Sequence, residues 1–369
     1  MSNVHPIIND PIVSVEVVLR ERPAVRPAFS WRRGLPGSEG VGTHAWLIIT
    51  TRDGVRGFAP THRGKILDDI VDRRLREELI GADPLAREWL WHRIWELDRI
   101  EEIPLYLLGI VDIALWDIGA KKANLPLYKL LGNFRSSIPA YASTATFDSV
   151  EEYLDVADQC IELGYTAIKL HAWGDAREDA RLSIALRDHV GTDIDLMYDG
   201  SAAFDLTDAV YLGRALSEAK YGWYEEPMRE FSIGAYGRLA QRVDVPLLVA
   251  ETSDGAHMNT ADFITFGGAS AVRTSSGLKG GITGALRIAH LADSFLLRAE
   301  LHGGGLVNSH LTMAIPNTTY YESFVSVNPV VREPAVGDDG LVRASQAVGI
   351  GWEQEWNEHG VPEGISADV

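Results

Sequence analysis

One cysteine, Cys160, is all the chain has, so no disulfide can form within it. The residue falls in a helical pattern and reads as a small buried apolar side chain. No run of Lys and Arg offsets a net charge of −18, which argues against nucleic acid or an anionic membrane surface as a partner. No apolar run reaches membrane-spanning length, and Met1 to Arg20 lacks a basic-then-apolar leader, so a cytoplasmic protein is expected. Low-complexity segments are also missing. What remains is an ordinary globular composition, 46% apolar over 369 residues. That length suits a barrel of roughly 200 to 250 residues with a second domain.

Three short apolar runs each end in a carboxylate: Leu196 to Asp199, Trp223 to Glu225-Glu226, and Leu248 to Glu251. Asp199, Glu225 and Glu251 fall at equal intervals, and the interval fits one strand, one helix and two short connections. In a parallel barrel the strand C-termini share one face, where three such acids would converge on a hard divalent cation. Mg²⁺ is the expected ion. At this stage Glu225 and Glu226 compete for the second position.

Upstream, Ile12–Arg20 and Thr43–Thr51 alternate as half-buried strands, and Asp53-Gly54 turns the second into Val55–Phe58. Between the first two strands, Phe29–Gly42 carries Trp31, Arg32 and Arg33 among glycines, a loop expected to close over an anionic ligand. His62 and Arg63 offer a second such loop. Helical patterns run from Lys65 to about Ala123, with Asp83-Pro84 opening one helix. After Gly132 short strands alternate with helices, and eight strands are expected near 138–143, 165–171, 194–199, 221–225, 246–251, 270–275, 296–302 and 319–324.

Lys169 and His171 stand two apart on the second of these strands, so both side chains share a face. Burial beside a cation would favour their neutral forms and ready one to remove a proton. His302 ends the seventh strand before Gly303-Gly304-Gly305 and would face the metal from the other side. Glu322 on the eighth would donate a hydrogen bond to an enolate if its pKa were raised.

Val111-Asp112-Ile113-Ala114-Leu115-Trp116-Asp117, the run Leu125 to Gly132, the spaced acids, Glu225-Glu226-Pro227 and Lys279-Gly280-Gly281-Ile282-Thr283 together resemble the enolase superfamily. Within it, the chain is most similar to the mandelate racemase-like group of acid-sugar dehydratases and racemases. The resemblance implies an α/β chain: a modified (β/α)7β TIM-like barrel (133–329), an N-terminal α+β capping domain (1–132), and a C-terminal tail (330–369) that completes the cap. It implies Mg²⁺ on Asp199, Glu225 and Glu251, choosing Glu225 over Glu226, and an enediolate stabilised by the metal after a base takes the α-proton. His171 stands where the group often has a second lysine, with Lys169 lining the substrate carboxylate. Ser275 replaces the Asp or Lys that relatives place there, which leaves His302 without an acidic partner. Ser201 stands where many relatives have Asn.

The resulting expectation is a Mg²⁺-dependent hydro-lyase that converts a sugar acid to a 2-keto-3-deoxy acid, with Lys169 or His171 as base and His302 as acid. Racemisation, epimerisation or cycloisomerisation of a carboxylate is the alternative, and a catalytically silent metal-binding barrel is a third. The expected partner is a small anionic substrate, bound by Trp31, Arg32, Arg33, His62, Arg63 and Ser275, and the expected assembly is a homo-oligomer.

Overall fold

The computed structural model describes residues 8–353 and 356. Three strands come first, β1 (Ile12–Arg22), β2 (Gly42–Thr51) and β3 (Arg56–Thr61), paired antiparallel in chain order. The helical region follows as α1 (Gly64–Ile70), a π-helical turn over Val71–Leu75, α2 (Arg76–Leu79), α3 (Arg87–Glu101), α4 (Leu105–Lys122) and α5 (Leu127–Leu130). Helix α3 starts at Arg87 rather than at Asp83-Pro84. Asp83 instead accepts the Leu85 amide at 2.9 Å and closes a turn of its own.

Eight parallel strands make the second sheet: β4 (Ser137–Thr144), β5 (Ala167–His171), β6 (Asp195–Asp199), β7 (Tyr224–Glu225), β8 (Leu247–Val249), β9 (Ala271–Thr274), β10 (Arg298–Leu301) and β11 (Tyr321–Val325). Each of the first seven is followed by a helix: α6 (Val150–Glu162), α7 (Ala176–Val190), α8 (Leu206–Glu218), α9 (Ile233–Ala240), α10 (Ala256–Phe266), α11 (Gly281–Ser294) and α12 (Gly305–Ala314). This is the expected (β/α)7β order. Every residue of β5 is buried, as in a parallel strand covered on both faces.

Acids placed just before helices do what such acids ordinarily do. Asp175 and Asp205 each accept two amides of the first turns of α7 and α8. Asp199 and Glu225 lie inside strands and are free of that task.

Among the described residues no ladder joins β10 to β11. The seam is bridged by side chains: Glu322 on β11 accepts the Gly303 amide at 2.7 Å, and Arg273 on β9 donates to the Leu301 carbonyl at 2.6 Å and to Glu322 at 3.2 Å.

Helix α4 is apolar around its circumference because it is enclosed on two sides. Toward the first sheet, Asp117 accepts the Phe58 amide at 3.1 Å. Toward the barrel, Asp112 accepts the Thr283 hydroxyl at 2.6 Å and its amide at 2.9 Å, at the start of α11. Gly281 has φ of 81°, and a Cβ there would meet Asp112 Cβ at 2.6 Å. The close approach therefore requires glycine. After β11 the described chain adds β12 (Leu341–Arg343) antiparallel to β4, then meets the N-terminal elements through Gly349 O to Leu127 N at 2.9 Å and Ile350 N to Asp117 at 2.8 Å.

Candidate active site

Parallel pairing in register carries the spaced acids to one rim. Asp199 closes β6 opposite Glu225, which closes β7, and Glu251 follows β8 by two residues. His171 is the register partner of Asp199 on the other side. Lys169 Nζ lies 3.2 Å from Asp199 Oδ2, 3.0 Å from Glu225 Oε2 and 2.8 Å from Glu322 Oε1. His171 Nε2 lies 3.0 Å from Asp199 Oδ2, and its Nδ1 lies 2.7 Å from the Thr144 carbonyl. That carbonyl can only accept, so Nδ1 carries a proton, and Nε2 is the nitrogen turned to Asp199. At the far end of the row, His302 Nδ1 lies 3.2 Å from Glu251 Oε2 and 3.8 Å from Glu322 Oε2. Glu226 is set apart from Glu225, since it takes the Thr252 hydroxyl at 2.5 Å.

Charge decides what these groups are. Burial works against an ammonium at Lys169, yet Glu225 and Glu322 hold its pKa well above the ordinary lysine value. These neighbours favour the ammonium, where the sequence led to an expectation of neutral lysine beside a bound cation. Burial likewise works against a carboxylate at Glu322, but Lys169 and Arg273 keep its pKa well below the usual range. Glu322 is a hydrogen-bond acceptor, contrary to the raised pKa expected of a donor. Burial raises Asp199 and Glu251 too; His171 and Lys169 pull the first down overall, and His302 brings the second to about 2. Glu225 shows opposing pulls: burial pushes it up to about 8 against Arg273 and Lys169. We take it as a carboxylate, because Arg273 reaches both of its oxygens and Lys169 stands at 3.0 Å.

His302 also departs from expectation. Ser275 does not partner it; the Ser275 hydroxyl accepts the Gly277 and Leu278 amides at 3.0 Å each. The acids beside His302 are Glu251 and Glu322, and against its burial they raise its pKa above the ordinary histidine value. Glu322 comes from β11 and Glu251 from the turn after β8, so nothing near His302 in the chain marked them as its partners.

The loop residues fall into four cases. The Trp31 ring covers His171 at 4.6 Å between centroids and packs on Phe324 at 4.7 Å. Arg32 donates to the Ser201 carbonyl at 3.0 Å, which ties the loop down behind β6. Arg33 turns the other way, pairing with Glu178 at 2.8 Å and lying over Trp173 at 5.0 Å, with its side chain 57% exposed. It does not face the carboxylates. His62 and Arg63 line a cavity of about 660 Å³ together with His302, Ser275 and Tyr106.

Arg273 escaped the sequence reading. Fully buried on β9, it binds Glu225 through Nε and Nη2, Tyr141 Oη at 2.8 Å and Glu322 at 3.2 Å. The signal was a lone cation in the apolar run Ala271-Val272-Arg273-Thr274. Glu230 was also missed, and Lys279 was read only as part of its glycine motif. Glu230 accepts the amides of Ala250, Thr252 and Ser253 on either side of Glu251, and Lys279 donates to the Ser253 carbonyl at 2.6 Å.

Three hard carboxylates on consecutive strand ends make a donor set suited to Mg²⁺. Buried Glu251 Oε2 makes no hydrogen bond, the condition of an atom kept for a cation. Ligand atoms of Glu225, Glu251 and His302 lie within 4.8 Å of one another, while Asp199 is turned toward Lys169 and His171. The residues fit the ion.

Comparison with known proteins agrees with this architecture. Residues 36–132 match the family model described as mandelate racemase / muconate lactonizing enzyme, N-terminal domain, and 152–358 match the one described as enolase C-terminal domain-like. L-talarate/galactarate dehydratase of Salmonella typhimurium is 29% identical over 82% of this chain and 78% of its own. The 3,6-anhydro-alpha-L-galactonate cycloisomerase of Streptomyces coelicolor is 28% identical over 82% of this chain and 88% of its own. Among solved structures, D-glucarate dehydratase from Agrobacterium tumefaciens complexed with magnesium superposes with a TM-score of 0.82 at 29% identity, covering 92% of this chain and 96% of its own. With both family models matched in order, the second over more than half of its length, the chain belongs to the mandelate racemase/muconate lactonizing enzyme group of the enolase superfamily.

Proposed function

We propose that this protein is a Mg²⁺-dependent hydro-lyase that removes water from a sugar acid to give a 2-keto-3-deoxy acid. The observation that carries the reading is the row Asp199, Glu225, Glu251 with His171 at one end and His302 at the other. Asp199, Glu225 and Glu251 would hold Mg²⁺. When bound, the ion supplies Lewis-acid stabilisation of the charge that develops on a substrate carboxylate.

The chain's own residues divide the remaining work. His171 has its proton on Nδ1, fixed by Thr144, so Nε2 takes the α-proton of the substrate. Lys169 stays charged and faces the carboxylate rather than acting as base. His302, held protonated by Glu251 and Glu322, gives its proton to the β-hydroxyl as the carbon–oxygen bond breaks and water leaves. The enol that remains tautomerises to the keto acid. Sugar-acid dehydratases among the relatives support this outcome.

A second reading has an observation in its favour. Because His302 has acidic neighbours, two imidazoles of comparable standing flank the carboxylates, which is what racemisation or epimerisation needs. A screen of sugar acids with Mg²⁺ separates the two. The dehydratase forms 2-keto-3-deoxy acid, whereas interconversion of two stereoisomers with no keto acid overturns it.

A further inference from the structure

Of the three loop cations, two are already engaged: Arg32 with the Ser201 carbonyl and Arg33 with Glu178. Arg63 is different. Among the described residues its guanidinium meets no carboxylate or carbonyl, in a chain of net charge −18. It is exposed, and it opens on the cavity of about 660 Å³ that also reaches His302.

Two neutral polar groups stand with it on that wall. Tyr106 and His62 both lie close enough to Arg63 to feel its charge. His62 Nδ1 shares one hydrogen with His44 Nε2 at 2.9 Å, and burial first, then His44 and the nearby arginines, lowers the His62 pKa to about 4. The imidazole is thus uncharged, and its buried Nε2 is left without a partner. A guanidinium, a phenol and an unpaired ring nitrogen form a receptor for an anion that also bears hydroxyls.

Other ions on the cavity wall are spoken for. Glu333 takes the Tyr321 hydroxyl at 2.5 Å, and Arg343 pairs with Asp339 at 2.6 Å. A ligand that extends from His302 into this cavity therefore meets one open cation in the rest of it, at Arg63.

Resting on the dehydratase reading for the reacting end, we propose that the substrate is a dicarboxylate, a sugar diacid rather than a monoacid, whose distal carboxylate binds Arg63 with Tyr106 and His62 on its flanking hydroxyls. Arg63 sets the preference between the two substrate classes.

The test pairs six-carbon diacids with monoacids of the same configuration, galactarate with galactonate and glucarate with gluconate, and compares kcat/KM for wild type and Arg63→Gln. Wild type should favour the diacid, and the variant should lower the diacid-to-monoacid ratio by roughly 10- to 100-fold, the loss expected for a charge-assisted pair. An unchanged ratio, or a wild type that prefers the monoacid, overturns the proposal. If no acid is turned over, the dehydratase reading falls, and calorimetric binding of the same pairs to the Mg²⁺-loaded protein decides the rest. Tighter diacid binding that depends on Arg63 sustains the distal site, and equal binding removes it.

Discussion

Nδ1 of His302 lies 3.2 Å from Oε2 of Glu251, and neither buried atom meets hydrogen-bond geometry. The contact is a charge contact between an imidazole raised in pKa and a carboxylate lowered to about 2. A cation joining Glu251 would share that oxygen's charge and loosen the hold on the His302 proton.

Removal of divalent metal should lower the melting temperature and abolish turnover, because the carboxylates repel one another when packed together. Mg²⁺ should restore both, adding about 2.7 kcal/mol of stability at 100 times its dissociation constant. Asp199→Asn, Glu225→Gln and Glu251→Gln should each weaken Mg²⁺ binding in calorimetry. Full activity after exhaustive chelation would remove the mechanism.

Arg273→Leu should destabilise the fold by about 3–5 kcal/mol, since it strands Glu225 and Glu322 as buried charges with one cation fewer. Urea unfolding of the metal-free protein measures it. Arg273→Lys should rescue only part, because an ammonium cannot span Glu225, Tyr141 and the Leu301 carbonyl together.

Replacement of His171 by Asn should stop exchange of the α-proton in deuterium oxide, followed by nuclear magnetic resonance. His302→Asn should keep exchange and lose dehydration. Equal loss of exchange in both variants would reverse the assignment of acid and base.

Acid should unfold the protein partly through His310. Burial lowers its pKa to about 4, and its Nδ1 accepts the Tyr128 amide at 3.2 Å, which only a neutral ring can do. The unfolded chain binds this proton near pH 6.5 and the folded chain near 4, so stability is full above the first value and falls as pH drops toward the second. The loss is roughly 3 kcal/mol for this 1% exposed residue. His310→Gln should flatten the pH dependence between those values in thermal melts.

Trp31→Ala should lower kcat/KM, because it uncovers His171. Arg33→Ala should change kcat/KM little, since the arginine's pairing with Glu178 is at the surface. An Arg33 variant as impaired as the Trp31 variant would place the arginine back among the substrate contacts.

Barrel order and the row of acids were legible because both are written in local patterns. A strand that ends in Asp199, Glu225 or Glu251 and repeats at one βα interval needs only parallel pairing to bring its acid to the common rim. The alternation of Lys169 and His171 is equally local. What these residues become was decided across the barrel. Lys169 stays charged because Glu322, far along the chain, closes to 2.8 Å, and Glu322 stays ionised because Lys169 and Arg273 meet it there. His302 acquires Glu251 as neighbour, and Arg33 is drawn off to Glu178, each through contacts that no spacing in the chain encodes. Protonation states follow the sum of charges within a few ångströms, and here that sum is assembled from five strands and their loops, so only the folded sheet could set it.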